Sequence, residues 1–289
     1  MKISIALITF NEEANLQLTL ESVQPLVRDG QGEIIVVDSG SRDRTLEIAR
    51  SFGAKIFSEP WKGFAAQKNS AMGKASGEWV LQLDADEALE PELCTEILWV
   101  FAAIDEWNKE GFPVDNDTRS KDLRGRGLRY GIDEQDLCGF NIPRKNLFLG
   151  RWIKHGGFYP DRKLRLIRRE KGRFQEYGAH PTIKLQRAMV SSNLRHALIH
   201  NAYPTLRGYI DHMNSYSSSG AEVVVAKGRR GFNLLNIVFR PALTFLYNYI
   251  FRLGFLDGRE GFLLHMYHAV YVSWKYAKAW ELARKASPE

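Results

Sequence analysis

The chain has 289 residues, 44% hydrophobic and 12% aromatic, enough apolar matter for a substantial core, which excludes intrinsic disorder over its bulk. Cys94 and Cys138 are the only cysteines, so a disulfide framework and a cysteine zinc site are excluded, in keeping with a reducing cytosol. The net charge of +6 is unevenly spread: residues 144–173 hold eleven Lys or Arg against only Asp161 and Glu170, a run that either meets an anionic partner or simply faces water.

In chain order, "MKISIALITF" is followed by "NEEANLQ" where a signal peptide would place a small-residue cleavage site, so it reads as a first strand and secretion is not expected. Further strands read as "GEIIVVD", "AKIFSE" and "EWVLQLD", with helical patterns between them over 12–23, 42–52 and 64–75. Ser41 suits the N-cap of the second helix, with Asp43 in its first turn. Near-continuous apolar strands alternating with helices predict an α/β fold with an open, mostly parallel sheet buried on both faces.

Residues 105–137 are polar and Gly-containing without helical or strand period, which predicts a long mobile loop or insertion. Beyond it, "CGFNIPRKNLFLGRWIKHGGFYPDRKLRLIRR" supplies further strands, most clearly 163–169, that complete a mixed sheet. Residues 232–280 are aromatic and apolar but are interrupted by Arg240–Pro241 and by later charges, so amphipathic helices are expected rather than a plain membrane span. Core packing and attachment to a membrane interface both fit that segment. The expected division is a catalytic domain over 1–205 and a helical C-terminal region over 206–289.

Ligands of open α/β sheets gather beyond the carboxyl ends of the strands, which gives weight to the polar groups there. The first strand ends at Thr9 with Asn11 and Glu12 following, the second at Asp38 before "SGSRDRT", and the fourth at Asp84 with Asp86 two residues on. Asp38 can accept hydrogen bonds from a base or ribose, or cap the next helix. An Asp-X-Asp pair at a strand end suits Mg²⁺ or Mn²⁺, hard cations that share their remaining positions with substrate phosphates.

The blocks "ALITFNEEANLQLTLESV", "EIIVVDSGSRDRTLEIA" and "AAQKNSAMGKASGEWVLQLDADE" resemble, in order and spacing, the nucleotide-sugar half of family 2 glycosyltransferases of the GT-A, Rossmann-like fold. "FLGRWIKHGGFYPDRKLRLIRR", "GFLDGREGF" and "KYAK" resemble the branch that contains lipopolysaccharide-core glucosyltransferases. The resemblance implies that Thr9, Glu12, Asp38, Lys68 and Asp84 line the nucleotide pocket, and that Asp84 and Asp86 hold a divalent metal, Asp86 more directly. It implies inverting transfer of a sugar, with glucose the expected one, from a UDP-sugar to a hydroxyl of an anionic, lipid-linked glycan. A lipopolysaccharide core is the favoured acceptor, met at the inner face of the cytoplasmic membrane by a cytoplasmic, peripherally attached enzyme.

The general base is the least determined residue. Relatives place an acid after the His of the basic strand, whereas Pro181 follows His180 here, leaving Asp161 and Glu176 as candidates, each equally able to serve as an ordinary ion-pair partner. His180 and His200 could add a metal ligand or touch phosphate, or be structural; Gly156–Gly157 could admit a sugar to the backbone, and Trp152, Phe158 and Tyr159 could stack on one or sit in the core. A polyprenyl-phosphate glycosyltransferase and a non-catalytic nucleotide-binding protein are the alternatives. A sugar-1-phosphate nucleotidyltransferase is excluded by the absence of glycine from "TFNEEANL", and nucleic acid is not an expected partner.

Overall fold

The computed structural model describes residues 2–110, 136–176, 181–228 and 232–286, and in these the chain forms two compact units. The first comprises Met1–Arg144, Arg162–Gln175 and Pro181–His200; the second comprises Lys145–Asp161, Glu176–His180 and Asn201–Glu289.

The first unit is built on β1 (Ile3–Thr9), β2 (Gly32–Asp38), β3 (Lys55–Ser58) and β4 (Trp79–Asp84), close to the spans the apolar runs predict. With β6 (Leu137–Ile142), β9 (Lys163–Arg168) and β12 (Val190–Asn193) they form a seven-stranded sheet in the order β12-β6-β9-β4-β1-β2-β3. All neighbours run parallel except β9, which is antiparallel to both β4 and β6. The expectation of a mostly parallel, mixed sheet is therefore met.

Both faces are covered, which is why β1, β2 and β4 read as near-continuous apolar runs, interrupted by Ser4 in β1 and Gln82 in β4. Ile3, Ile5, Leu7, Trp79 and Leu81 pack with α1 (Leu16–Val27) and α4 (Pro91–Glu110). Ala6, Val37 and Val80 pack on the other side with α3 (Phe64–Gly73) and with Phe174 and Ile183 of the β10 (Gly172–Gln175) and β11 (Thr182–Leu185) hairpin. Gly77 lies so close to β1 that an added Cβ would stand 2.7 Å from the carbonyl carbon of Ile3, a clash with backbone that no side-chain rotation relieves.

Three sequence expectations need correction. The first helix starts at Leu16, because the "NEEAN" stretch is spent on hydrogen bonds to the next loop. Ser41 does not cap α2 (Thr45–Ser51), since its hydroxyl is donated to Asp38, and Asp43 instead accepts the amide of Thr45 at 3.0 Å. Residues 105–110 belong to α4 rather than to a loop; the rest of that stretch up to residue 135 lies outside the described residues.

The second unit contains β8 (Arg151–Trp152), α5 (Leu206–Ala226), α6 (Arg240–Leu246) and α7 (Gly258–Ala286). On α7, Leu264, Ala269, Val272, Tyr276, Ala279 and Ala283 recur every three to five positions and are buried, a helical stripe; Tyr209 and Met213 of α5 pack with Leu264 in one apolar cluster. Pro241 does not end its helix. Lacking an N–H, it leaves the carbonyl of Ile237 free, a widened π-helical turn over Leu235–Phe239 precedes it, and the Ser273 hydroxyl donates to that carbonyl at 2.8 Å.

Candidate active site

Register sets the site. Thr9 stands opposite Asp38 and Ile8 opposite Asp84, so the ends of β1, β2 and β4 are level. The chain runs from β1 outward to β2 and β3, then returns to place β4 on the other side of β1. The crevice at the β1 and β4 ends is thus the topological switch point, where an open α/β sheet binds ligands.

Asp38 is buried and fully occupied. One oxygen accepts the Thr9 and Ser41 hydroxyls at 2.9 and 2.5 Å, and the other accepts the amides of Gly40 and Ser41 at 2.8 and 2.9 Å. Burial pushes its carboxyl pKa up, but these donors outweigh burial and hold it below the ordinary value. Asn11 accepts the Arg42 amide, and the Glu12 amide donates to Thr45 at 2.8 Å, so the loops after β1 and β2 are stitched together. Asp38 and Thr9 shape this double loop, and their own polar atoms are turned to one another.

At the β4 end, Asp84 lies between two cations. Lys68 of α3 approaches one carboxylate oxygen at 2.5 Å, and Arg165 of β9 approaches the other at 2.7 Å. Burial acts to raise the Asp84 pKa, yet Arg165 and Lys68 pull it well below the usual carboxylate range. Lys68 is itself buried, its ammonium 5.3 Å from the Phe174 ring centroid.

Arg165 and Glu87 are the residues sequence reasoning missed. Arg165 is buried and reaches Asp84, Glu87 at 2.6 Å and the side-chain oxygen of Gln82; the fully buried Glu87 also takes Arg144 at 3.0 Å and the Asp84 amide at 3.1 Å. Burial opposes charge on Arg165, but Asp84 and Glu87 outweigh it and raise the pKa, fixing the guanidinium as a cation. The signal was Gln82, a polar residue inside an otherwise apolar buried strand, which must find a partner.

Asp86 stands one step outside this network. Its carboxylate lies 3.4 Å from Nε2 of His200, a residue of β13 (Leu198–Tyr203) placed by pairing opposite Glu87 of β5 (Glu87–Leu89). The turn between β4 and β5 is tied to α1 by the Thr19 hydroxyl, which donates to the Ala85 carbonyl at 2.7 Å. Burial raises the Glu12 carboxyl pKa, Asn15 partly offsets it, and Asp86, Asp43 and Asp84 add to the rise by repulsion. Glu12, Asp84 and Asp86 therefore share one local field.

The fit to a divalent ion is uneven. Both Asp84 oxygens are engaged by cations, whereas Asp86 and His200 form an oxygen and nitrogen pair of the kind Mn²⁺ or Mg²⁺ accepts when substrate oxygens fill the other positions. Among the described residues no three His, Cys, Asp or Glu side chains gather as a closed protein cage.

Of the two base candidates, both in the second unit, Asp161 is half-buried with Asn146 donating to it at 3.4 Å, and Glu176 is exposed after β10. His180 lies outside the described residues. Trp152 is half-buried beneath two ammonium groups, Lys145 and Lys154, each 4.5 Å from its ring centroid, and Tyr159 meets its edge.

The sequence profile described as glycosyl transferase family 2 matches residues 4–172, more than half the chain. The chain belongs to that family, and Thr9, Asp38, Lys68, Asp84, Asp86 and Arg165 fall inside the match, whereas His200 lies beyond it. It is 29% identical over 296 aligned positions to the lipopolysaccharide core biosynthesis glycosyltransferase LpsC of Rhizobium meliloti, covering 100% of this chain and 96% of the relative. A glycosyltransferase of Rickettsia typhi is 43% identical over 102 residues, 35% of this chain and 34% of the relative. Among solved structures, S. aureus TarS 1-349 in complex with UDP aligns over 99% of this chain and 92% of its own at 16% identity and a TM-score of 0.44. Glucosyl-3-phosphoglycerate synthase from Mycobacterium tuberculosis, with Mn²⁺, UDP-glucose and phosphoglyceric acid, aligns over 51% of this chain and 44% of its own at 24% identity and a TM-score of 0.31.

Proposed function

We propose that the chain transfers a sugar, glucose in the first instance, from a UDP-sugar to a hydroxyl of an anionic, lipid-linked glycan such as a lipopolysaccharide core, with inversion at the anomeric carbon. One observation carries this reading: the strand-end polar groups converge at the switch point, with Lys68 and Arg165 buried behind them and Asp86 and His200 at the open side. Such a crevice suits a pyrophosphate that must leave with added negative charge, because fixed cations in a low-dielectric setting stabilise charge without reorganising.

The roles divide by geometry. The Asp38 turn holds the β1 and β2 loops in the shape that receives the nucleoside. Lys68 and Arg165 set a positive field at the phosphates, and Asp84 keeps both cations in place. A divalent ion bound at Asp86 and His200 would act as a Lewis acid on the leaving diphosphate. The acceptor hydroxyl attacks as the bond to the diphosphate breaks and a carboxylate takes its proton; Asp161 and Glu176 stay the candidates for that base.

Acceptor and location rest on the second unit and on the full-length likeness to LpsC. Between residues 232 and 256, Phe232, Leu235, Phe239, Leu243, Phe251 and Leu256 are exposed, with Arg240 and Arg252 the only charges in the stretch. An apolar surface rimmed by arginine suits the headgroup region of a bilayer. No helix among the described residues is long and apolar enough to cross a membrane, so contact would be peripheral.

The test is a panel of UDP-, GDP- and dTDP-sugars incubated with the full chain and a truncated lipopolysaccharide acceptor. Nucleotide release from one UDP-sugar, dependent on acceptor, is expected; release from none, with UDP still bound, would leave the non-catalytic binder.

A further inference from the structure

The second unit holds a cluster that the donor-site chemistry does not use. Asp257 is buried, and its carboxylate is spent on one turn: it accepts the amides of Lys154 at 3.2 Å and His155 at 2.8 Å, and Nδ1 of His155 at 3.0 Å. Asp257 thus holds the ring at Nδ1 and leaves Nε2 directed away from the carboxylate. His155 is about one-third exposed, and among the described residues no group meets Nε2.

Arg252 is fixed from the other side. Its carbonyl accepts the Gly156 amide at 2.8 Å, and its guanidinium lies against Gly157, where a Cβ would strike it. Gly156 and Gly157 have φ of +65° and +86°, and the place of a Cβ on Gly156 is filled by the His265 ring, so both positions demand glycine. Arg252 and Lys154 are exposed, and among the described residues neither pairs with a carboxylate; their cationic groups lie over the rings of Tyr247 and Trp152. Lys154, His155 and Arg252 thus border the Gly156–Gly157 turn, and Asp257, the acid that holds that turn, is buried and committed.

We propose that Lys154, His155 and Arg252 bind a phosphoryl group carried by the acceptor. A guanidinium offers paired donors to phosphate oxygens, the ammonium adds charge, and an imidazole N–H can donate to a further oxygen. Phe251, Leu253, Phe255 and Leu256 beside Arg252 are exposed, which suits a phosphate borne on an amphiphile rather than one free in solution. The inference rests on the proposed anionic, lipid-linked acceptor and names the group by which it is held.

The experiment uses the full chain with labelled histidine, titrated with inorganic phosphate while the His155 ring signals are followed, His155→Gln supplying their assignment. A saturable shift is expected, weakened about tenfold or more in Arg252→Gln, as loss of a charge-assisted contact implies. Flotation with phosphatidylcholine vesicles, plain or doped with phosphatidic acid, separates the sources. A preference for doped vesicles that Arg252→Gln loses assigns the group to a lipid; a response to soluble phosphate alone assigns it to a soluble ligand. Ring signals unmoved by either probe, or equal affinity in Arg252→Gln, overturns the site. Neither readout involves sugar transfer, and UDP affinity of the same variant reports separately on the donor crevice.

Discussion

Arg165 decides how much of the acid cluster that follows β4 is chemistry and how much is structure. Of the acids that follow the β4 strand, Glu87 is buried beneath Arg144 and Arg165, Asp84 is clamped by Lys68 and Arg165, and Asp86 alone reaches outward to His200. Removing one member of a buried ionic network leaves uncompensated charge, which costs about 3–5 kcal/mol. Arg165→Met is therefore expected to lower unfolding stability by about that amount and to weaken UDP binding, and Arg165→Lys to fall between, since an ammonium lacks the planar fork that spans two carboxylates. Denaturant melts with UDP titration check this; a variant as stable as the parent would show that the network is not what holds β4 and β9 together. The Asp-X-Asp spacing made Asp84 and Asp86 legible. Arg165 was not, because in "KLRLIR" it looks like one more basic residue of a solvated face, and only its pairing partner β4 reveals the burial.

At the scale of elements, β1, β2 and β4 were legible because strands buried on both faces leave a near-continuous apolar run, whereas caps and starts depend on partners distant in sequence. Ser41 shows why: its spacing suits a cap, but Asp38 claims the hydroxyl. Helix α4 was not read in advance, because apolar residues stand on its outward side as well, Leu98 and Ala102 being exposed, and "ILWVFAAI" runs as continuously as a strand. Glu33, at the start of β2, ties three elements: it accepts Ser4 at 2.6 Å, the Ser76 amide at 2.8 Å and Lys55 at 2.7 Å. Burial alone would raise its carboxyl, but these donors lower it from 4.5 to about 2. A folded-state pKa below the unfolded one gives stability that is complete above about 4.5 and is lost as pH falls toward about 2. The contribution is up to about 3 kcal/mol at neutral pH. The Tm difference between the parent and Glu33→Gln should thus be largest near neutrality and shrink below about pH 4; a difference constant with pH would contradict the assignment.

At the scale of the whole molecule, composition foretold an aromatic, apolar C-terminal region but not whether it would be core or surface. The structure divides it: α7 buries its stripe against α5, while the stretch before it exposes Leu243 at 65% and Phe251 at 77%. That outcome depends on packing, which periodicity along one segment does not contain. Leu243→Asp with Phe251→Asp should reduce vesicle flotation about tenfold or more while moving stability by less than about 1 kcal/mol, as exposed substitutions do. A large fall in Tm would mean that these side chains pack on protein instead.

The proposed activity requires the strand-end crevice to be a nucleoside-diphosphate site with Asp86 at its cation position. Calorimetric titration of UDP into the full chain, with and without Mn²⁺, for the parent and for Asp86→Ala, addresses it directly. UDP should bind the parent, about tenfold or more tighter with Mn²⁺, and that gain should vanish in Asp86→Ala with the fold intact. A parent that ignores UDP, or a manganese effect that survives the substitution, would contradict it.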